Sequence, residues 1–126
     1  MILGIGTDII EIARIRKAIQ KEIFCNKLFS EKERAYCFAH KDPAPHFAAR
    51  FAGKESIAKA LGVGFGEELA WKDIEILNLP SGQPQATVNN HKFHQPTLIL
   101  SVTHCKEYAM STAIWLSKTT SFNNIP

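Results

Sequence analysis

The order of patterns along the 126 residues predicts an α+β fold in which a long helix packs on an antiparallel sheet. Three observations predict it. An N-terminal run rich in isoleucine reads as a strand, helical periodicity with capping signals follows as far as Gly62, and the second half alternates like strands joined by turns.

Met1-Ile-Leu-Gly-Ile-Gly-Thr-Asp-Ile-Ile10 is read as a strand that ends at Asp8 and turns. Asp8 has two readings. With Glu11 it has the spacing of a capping box, in which the first acid accepts helix N–H bonds and the fourth residue reaches back. Alternatively it is a carboxylate at the C-terminal end of a buried strand, the usual edge for binding chemistry in sheet proteins. Isoleucines 12, 15, 19 and 23 then recur at helical spacing and predict an amphipathic helix from about residue 11 to residue 22. Its far side carries Arg14, Lys17 and Lys21 with no acid among them. Such a stripe is either a solvated face or a surface that docks an acidic partner by charge complementarity.

Ser30-Glu-Lys-Glu33 is a capping-box pattern that opens a helix through Ala39, and His40-Lys-Asp-Pro-Ala-Pro45 breaks it. The longest helix is predicted over residues 45–61, begun by a proline and ended by Gly62. Glu55 projects from its apolar side, among Phe47, Phe51, Ala58 and Leu61. A carboxylate there needs a counter-charge, because burying an unpaired charge costs several kcal/mol. Lys59 lies one turn on, and Lys54 and Arg50 flank the same helix, a mixture that suits a metal-bound phosphate. Glu55 and Lys59 alone could equally be a helix salt bridge worth a few tenths of a kcal/mol.

Residues 71–79 predict a strand, Pro80-Ser-Gly-Gln-Pro84 a turn, and residues 97–102 and 108–116 a hairpin. Residues 85–96 are polar and give no clear pattern. The chain therefore reads as one domain over residues 1–118, with residues 119–126 as a C-terminal tail.

Composition narrows the class. With 45% hydrophobic and 21% charged residues the chain has an ordinary globular composition, and no apolar run approaches the ~20 residues that span a bilayer. No secretory signal pattern is visible, so the expected location is cytoplasmic. Cys25, Cys37 and Cys105 form an odd set without a CxxC pair and read as reduced and structural. Histidines 40, 46, 91 and 94 show no ligand spacing, which argues against zinc. The net charge of +3 does not suggest nucleic-acid binding, and no aromatic positions for base stacking interleave the basic residues.

Gly4-Ile-Gly-Thr-Asp8, Arg50-Phe-Ala-Gly-Lys-Glu55 with Lys59-Ala-Leu-Gly62, and Ser101-Val-Thr-His104 occur in the order and approximate spacing of the holo-acyl-carrier-protein synthases, which the chain resembles over residues 1–116. These are small 4′-phosphopantetheinyl transferases, and the resemblance implies their fold. It also implies transfer of the phosphopantetheine arm of coenzyme A to a serine of apo acyl carrier protein, releasing adenosine 3′,5′-bisphosphate, in support of fatty acid synthesis. By the same resemblance Asp8 and Glu55 would hold Mg2+ and Lys59 would contact the coenzyme A phosphates; the chemistry makes Glu55, directly or through a metal-bound water, the candidate general base, so Glu55 and Lys59 are the expected catalytic residues. Arg50, Lys54, Lys59, Gly62, Ser101 and His104 match positions in or beside the coenzyme A site. Arg14, Lys17 and Lys21 would meet the carrier protein, and the assembly would be a homotrimer with sites between subunits. The turn departs from the family's pattern, since Gln83 stands where lysine or arginine is usual, and Thr103 stands where serine is common. Two other classes remain as rivals: a non-catalytic module that holds an acidic protein on the basic stripe, and a nucleic-acid binder using the same face.

Overall fold

The computed structural model describes residues 1–118 of the chain. Strand β1 (Ile2–Glu11) leads into helices α1 (Ile12–Ala18), α2 (Glu22–Leu28), α3 (Glu31–Phe38) and α4 (Ala44–Leu61). A short 3₁₀ turn (Trp71–Asp73) precedes β2 (Ile74–Asn78), β3 (Pro84–Val88), β4 (Thr97–His104) and β5 (Tyr108–Leu116). Three strands form an antiparallel sheet in the order β1-β5-β4, and β2 and β3 pair as a separate hairpin. The long helix α4 lies across the sheet, as the α+β pattern predicts. The proposed tail, residues 119–126, lies outside the described residues.

Close approach of α4 to β1 explains two glycines. A side chain at Gly4 would overlap the carbonyl oxygen of Ala60, and one at Gly6 that of Ser56. The helix can therefore sit directly on the strand only because both positions lack a Cβ. Twelve of the eighteen α4 residues are buried, so it is a central helix rather than a surface one. It divides the core. Phe29, Phe47, Ala48 and Ala52 pack with α1–α3, whereas Ile57, Leu61, Ile74 and Leu100 pack with the hairpin and β4.

The helix ends follow the local rules. Ser30 accepts from the Glu33 backbone N–H while Glu33 accepts from the Ser30 N–H, a complete capping box. Gly62 closes α4 with φ of 78°, the left-handed conformation that a side chain disfavours.

Several boundaries differ from the sequence expectation. β1 does not end at Asp8; it continues to Glu11 because β5 pairs with it throughout, with Asp8 opposite Ser111 and Glu11 opposite Tyr108. The capping-box reading of Asp8 therefore falls, since Glu11 is itself the first cap and makes no side-chain cap bond. The single helix expected over residues 11–22 is two helices, because the chain tightens into a turn at residues 19–21. Ile12 and Ile15 are buried, but Ile23 lies in the first turn of the second helix and faces solvent. Within the polar stretch after Gly82, β3 forms through pairing with β2, a long-range cause that local composition does not reveal.

The deepest polar feature is the ion pair of Lys54 with Glu33, both side chains fully buried, at 2.8 Å. Lys54 Nζ also donates to the carbonyls of Leu28 (2.6 Å) and Trp71 (3.1 Å), which uses all three of its protons. The second Glu33 oxygen accepts from the Ile76 N–H at 3.0 Å. Lys54→Ala should destabilise the chain by about 3–5 kcal/mol in urea unfolding, because it strands a buried carboxylate. The double variant Lys54→Met/Glu33→Gln should lose less than the sum of the two single losses.

Candidate active site

Asp8 reaches the site because β1 alternates. Gly4, Gly6, Asp8 and Ile10 share the face turned to α4, while Leu3, Ile5 and Ile9 point outward. Glu55 and Lys59, one turn apart on α4, meet Asp8 from the helix side. Lys59 Nζ donates to the carbonyl of Thr7 at 2.9 Å and lies 3.4 Å from Asp8 Oδ1. Lys59 is half-exposed and Asp8 largely covered.

Two acids thus face one lysine. Burial pushes the Glu55 carboxyl above its usual range, the Asp8 charge adds to that, and Lys59 opposes both. Burial likewise raises Asp8, against the hydrogen bond and charge of Lys59 and a backbone bond from Ile9. The pair carries an excess of negative charge in a partly desolvated place, and its donors are hard oxygens. That donor set fits a divalent cation completed by phosphate oxygens and water, the usual way magnesium is bound. Among the described residues no group of three or more His, Cys, Asp or Glu side chains could hold a metal unaided.

A second polar site lies across the sheet. His104, at the end of β4, borders a cleft of about 220 Å³ between α4, β4 and the β2–β3 turn, together with Tyr36, His46, Arg50, Asn78 and Gly82. Arg50 is buried at its floor, donating to Asn78 Oδ1 at 2.7 Å with its guanidinium 4.3 Å from the centre of the Tyr36 ring. Its Nε–H is buried and has no partner. Asn78 also donates to the Gly82 carbonyl at 2.9 Å, so it ties the turn to the arginine. Gly82 has φ of 90° and turns the hairpin against the cleft. An unpaired buried donor on a cation, beside two imidazoles, is an arrangement suited to an anion.

Comparison with known proteins decides the family of the chain. A model of the 4′-phosphopantetheinyl transferase superfamily matches residues 4–113. The chain belongs to this superfamily. It is 50% identical over 121 residues to the holo-[acyl-carrier-protein] synthase of Chlamydia pneumoniae, covering 92% of this chain and 98% of that one. Its fold matches the Bacillus anthracis holo-(acyl-carrier-protein) synthase solved in complex with CoA (3′,5′-ADP), with a TM-score of 0.84 at 35% identity, covering 94% of this chain and 99% of that one. The Helicobacter pylori holo-[acyl-carrier-protein] synthase in complex with coenzyme A is similar at a TM-score of 0.78 and 33% identity, covering 89% and 99%.

Within the transferase framework, the motif residues separate. Asp8, Glu55 and Lys59 gather at the β1 edge, and Arg50 and His104 at the β4 edge. Gly62 ends α4 three residues beyond Lys59. Lys54 corrects the expectation of a coenzyme contact: its ammonium is wholly enclosed by Glu33 and two carbonyls and has no surface to offer a phosphate. Ser101 also departs from it, since alternation puts Leu100, Val102 and His104 on the inner face and Ser101 on the outer one. The basic stripe is split as well. Arg14 and Lys17 are exposed on α1, but Lys21 caps α2 beyond the turn. None of the three has an acidic partner within salt-bridge distance among the described residues, whereas Arg16 pairs with Asp42 at 2.8 Å.

His46, Tyr36 and Asn78 were not among the sequence candidates. His46 precedes Arg50 by one helical turn, a signal that would have placed both on one face. Cys25 and Cys37 are buried as expected, and burial holds the Cys37 thiol up at about 12. Cys105 is exposed in the β4–β5 turn, so the reading of all three as structural fails there.

The excess charge has a measurable consequence. In metal-free buffer near neutral pH, Glu55→Gln or Asp8→Asn should raise the thermal midpoint. The sign follows from the raised carboxyls: the folded state binds their protons more tightly than the unfolded state, so each ionised acid opposes folding above its folded pKa. The gain should shrink as pH falls through the range where the carboxyls protonate, read by calorimetry across pH.

Proposed function

We propose that this chain is a holo-[acyl-carrier-protein] synthase: it transfers the 4′-phosphopantetheine group of coenzyme A to a serine of apo acyl carrier protein, leaving adenosine 3′,5′-bisphosphate. The observation that carries the proposal is the meeting of Asp8 and Glu55, far apart in sequence, beside Lys59 in a member of the transferase superfamily. Modification of the carrier supplies the arm on which fatty acids are built, and the reading implies a cytoplasmic enzyme. No helix among the described residues is long and apolar enough to cross a membrane.

Asp8 and Glu55 would hold Mg2+. When bound, the ion supplies charge neutralisation at the phosphate under attack and at the leaving group. The chain's own residues account for the rest. Lys59 directs a further positive charge to the phosphate oxygens from the exposed end of its side chain. Serine Oγ forms a bond to the phosphorus that carries the pantetheine arm. The bond from that phosphorus to the oxygen shared with the adenosine bisphosphate breaks, and the electron pair leaves with the bisphosphate. Glu55 is the proposed acceptor of the serine proton, directly or through a water that it orients. At the other edge Arg50 and His104 would receive a coenzyme phosphate, with Gly62 close to the bound coenzyme.

A homotrimer with shared sites is part of the proposal. The outer face of the sheet exposes Ile5 at 63% and Ile9 at 61%, with Ile99 and Met110 beside them on β4 and β5. An apolar sheet face of this kind marks an association surface. β5 separates the β1 and β4 edges, so the acidic and anion-receiving halves stand roughly 10 Å apart across two strand spacings in one chain. In the proposed trimer, copies associating through this face would bring Asp8 and Glu55 of one subunit towards His104 of the next. On the remaining surface, Arg14, Lys17 and Lys21 would dock the acidic carrier.

Incubation with coenzyme A, Mg2+ and apo acyl carrier protein should add the phosphopantetheine mass to the carrier, read by mass spectrometry. A carrier that binds yet stays unmodified would favour the binding module instead. Asp8→Ala and Glu55→Ala should each lower kcat by at least about a hundredfold, and Arg14→Glu should act mainly on the KM for carrier. Light scattering should give three chains per particle, and Ile5→Asp/Ile9→Asp should reduce it to one while abolishing transfer.

A further inference from the structure

The histidines of the Arg50 cleft form a cluster that charge neutralisation by arginine alone does not require. The His46 and His40 rings stack with centroids 3.6 Å apart and planes 24° from parallel, and the His104 ring is 6.5 Å from His46. His40 Nδ1 lies 2.9 Å from the Tyr36 carbonyl oxygen, which can only accept, so that nitrogen carries the proton. The stack is therefore held in one orientation by backbone. Arg50 contributes the second, independent feature: it is buried, and its Nε–H lacks a partner.

The charged and titratable neighbours of His46 come from each element packed around it. Arg50 lies one turn along α4, Tyr36 comes from α3, His40 and Asp42 from the α3–α4 connection, and His104 from β4. Burial lowers the proton affinity of His46 most, and His40, Arg50 and His104 lower it further; Asp42 opposes them but is itself paired with Arg16. The free protein thus keeps a neutral ring at the mouth of a cationic cleft. An anion entering it reverses the balance. A phosphate oxygen beside Arg50 would offset the positive neighbours, and a neutral imidazole turns a lone pair as well as an N–H to its surroundings, whereas imidazolium has two donors.

We propose that His46, backed by the His40 ring, binds a phosphate monoester of the coenzyme as imidazolium, so that coenzyme binding takes up a proton at this cleft. The inference rests on the coenzyme reading of the site and adds to it a residue and a pH dependence. Below the range in which His46 titrates with ligand bound, the ring is already charged or charges on binding, and affinity is high. As pH rises through that range the imidazolium contact is lost and affinity falls.

Calorimetry in buffers of differing ionisation enthalpy counts the protons. Wild type should take up a substantial fraction of a proton on binding coenzyme A, and His46→Gln should bind with that uptake missing. The affinity advantage of wild type over His46→Gln should be on the order of tenfold near pH 6.5 and nearly absent near pH 8.5. Dephospho-coenzyme A, which lacks the monoester, should show no difference in uptake between the two proteins. Histidine ring resonances in the wild-type protein give a reading independent of any variant, and one ring should move to its imidazolium position on addition of adenosine 3′,5′-bisphosphate. Equal proton uptake by wild type and His46→Gln, or ring resonances unmoved by the bisphosphate, would overturn the role of His46 while leaving coenzyme binding intact. Failure of wild type to bind coenzyme A at all would overturn the coenzyme reading and this inference with it.

Discussion

The ion pair of Lys54 and Glu33 is the constraint on which the arrangement of the molecule depends. Its two side chains touch the ends of α2 and α3, the middle of α4, the 3₁₀ turn and β2, through bonds to Leu28, Ser30, Trp71 and Ile76. Desolvating two charges is expensive, and the expense is tolerable only when every proton and most lone pairs find partners, as they do here. The pair therefore has essentially one geometry. Ser30 extends it by donating to Glu75 at 2.6 Å, which ties the cap of α3 to the hairpin a second time.

Fixing Lys54 fixes the rotation of α4, and that rotation distributes the functional side chains. With Lys54 turned into the network, the next residue, Glu55, is turned towards β1, and Arg50, one turn earlier, faces the hairpin and β4. Gly4 and Gly6 set the other coordinate, the distance between helix and strand, by letting Ala60 and Ser56 approach the backbone of β1. Rotation and distance together bring Asp8 to Glu55. A structural lysine thus acts on the site without touching a ligand, and its place beside Glu55 in the sequence is what makes it look like a binding residue.

The two edges of the sheet carry opposite electrostatic problems. At the β1 edge, paired acids with one lysine leave negative charge unbalanced; at the β4 edge, a buried arginine with a vacant donor and adjacent imidazoles leaves positive charge unbalanced. A coenzyme with a pyrophosphate and a separate phosphate monoester, together with a divalent cation, would answer both. The similarity to synthases solved with coenzyme A agrees with that complementarity.

Whatever depends on near neighbours was legible along the chain: the α3 capping box, the glycine that ends α4, the β4–β5 hairpin, the α+β class, and the three motifs that mark the transferase family. Those signals are legible because caps, turns and periodicity involve residues within a few positions of one another. Tertiary structure decided whatever depends on a partner far along the chain. β5 carried β1 past Asp8 and removed the capping reading; β2 made a strand of Pro84–Val88; Glu33 drew Lys54 inward. It also gathered His46, Arg50, Asn78 and His104 from three separate segments into one cleft and stacked His40 on His46. Burial and long-range charge pairing follow from packing, and a linear pattern contains a residue's own preferences but not the identity of what will pack against it.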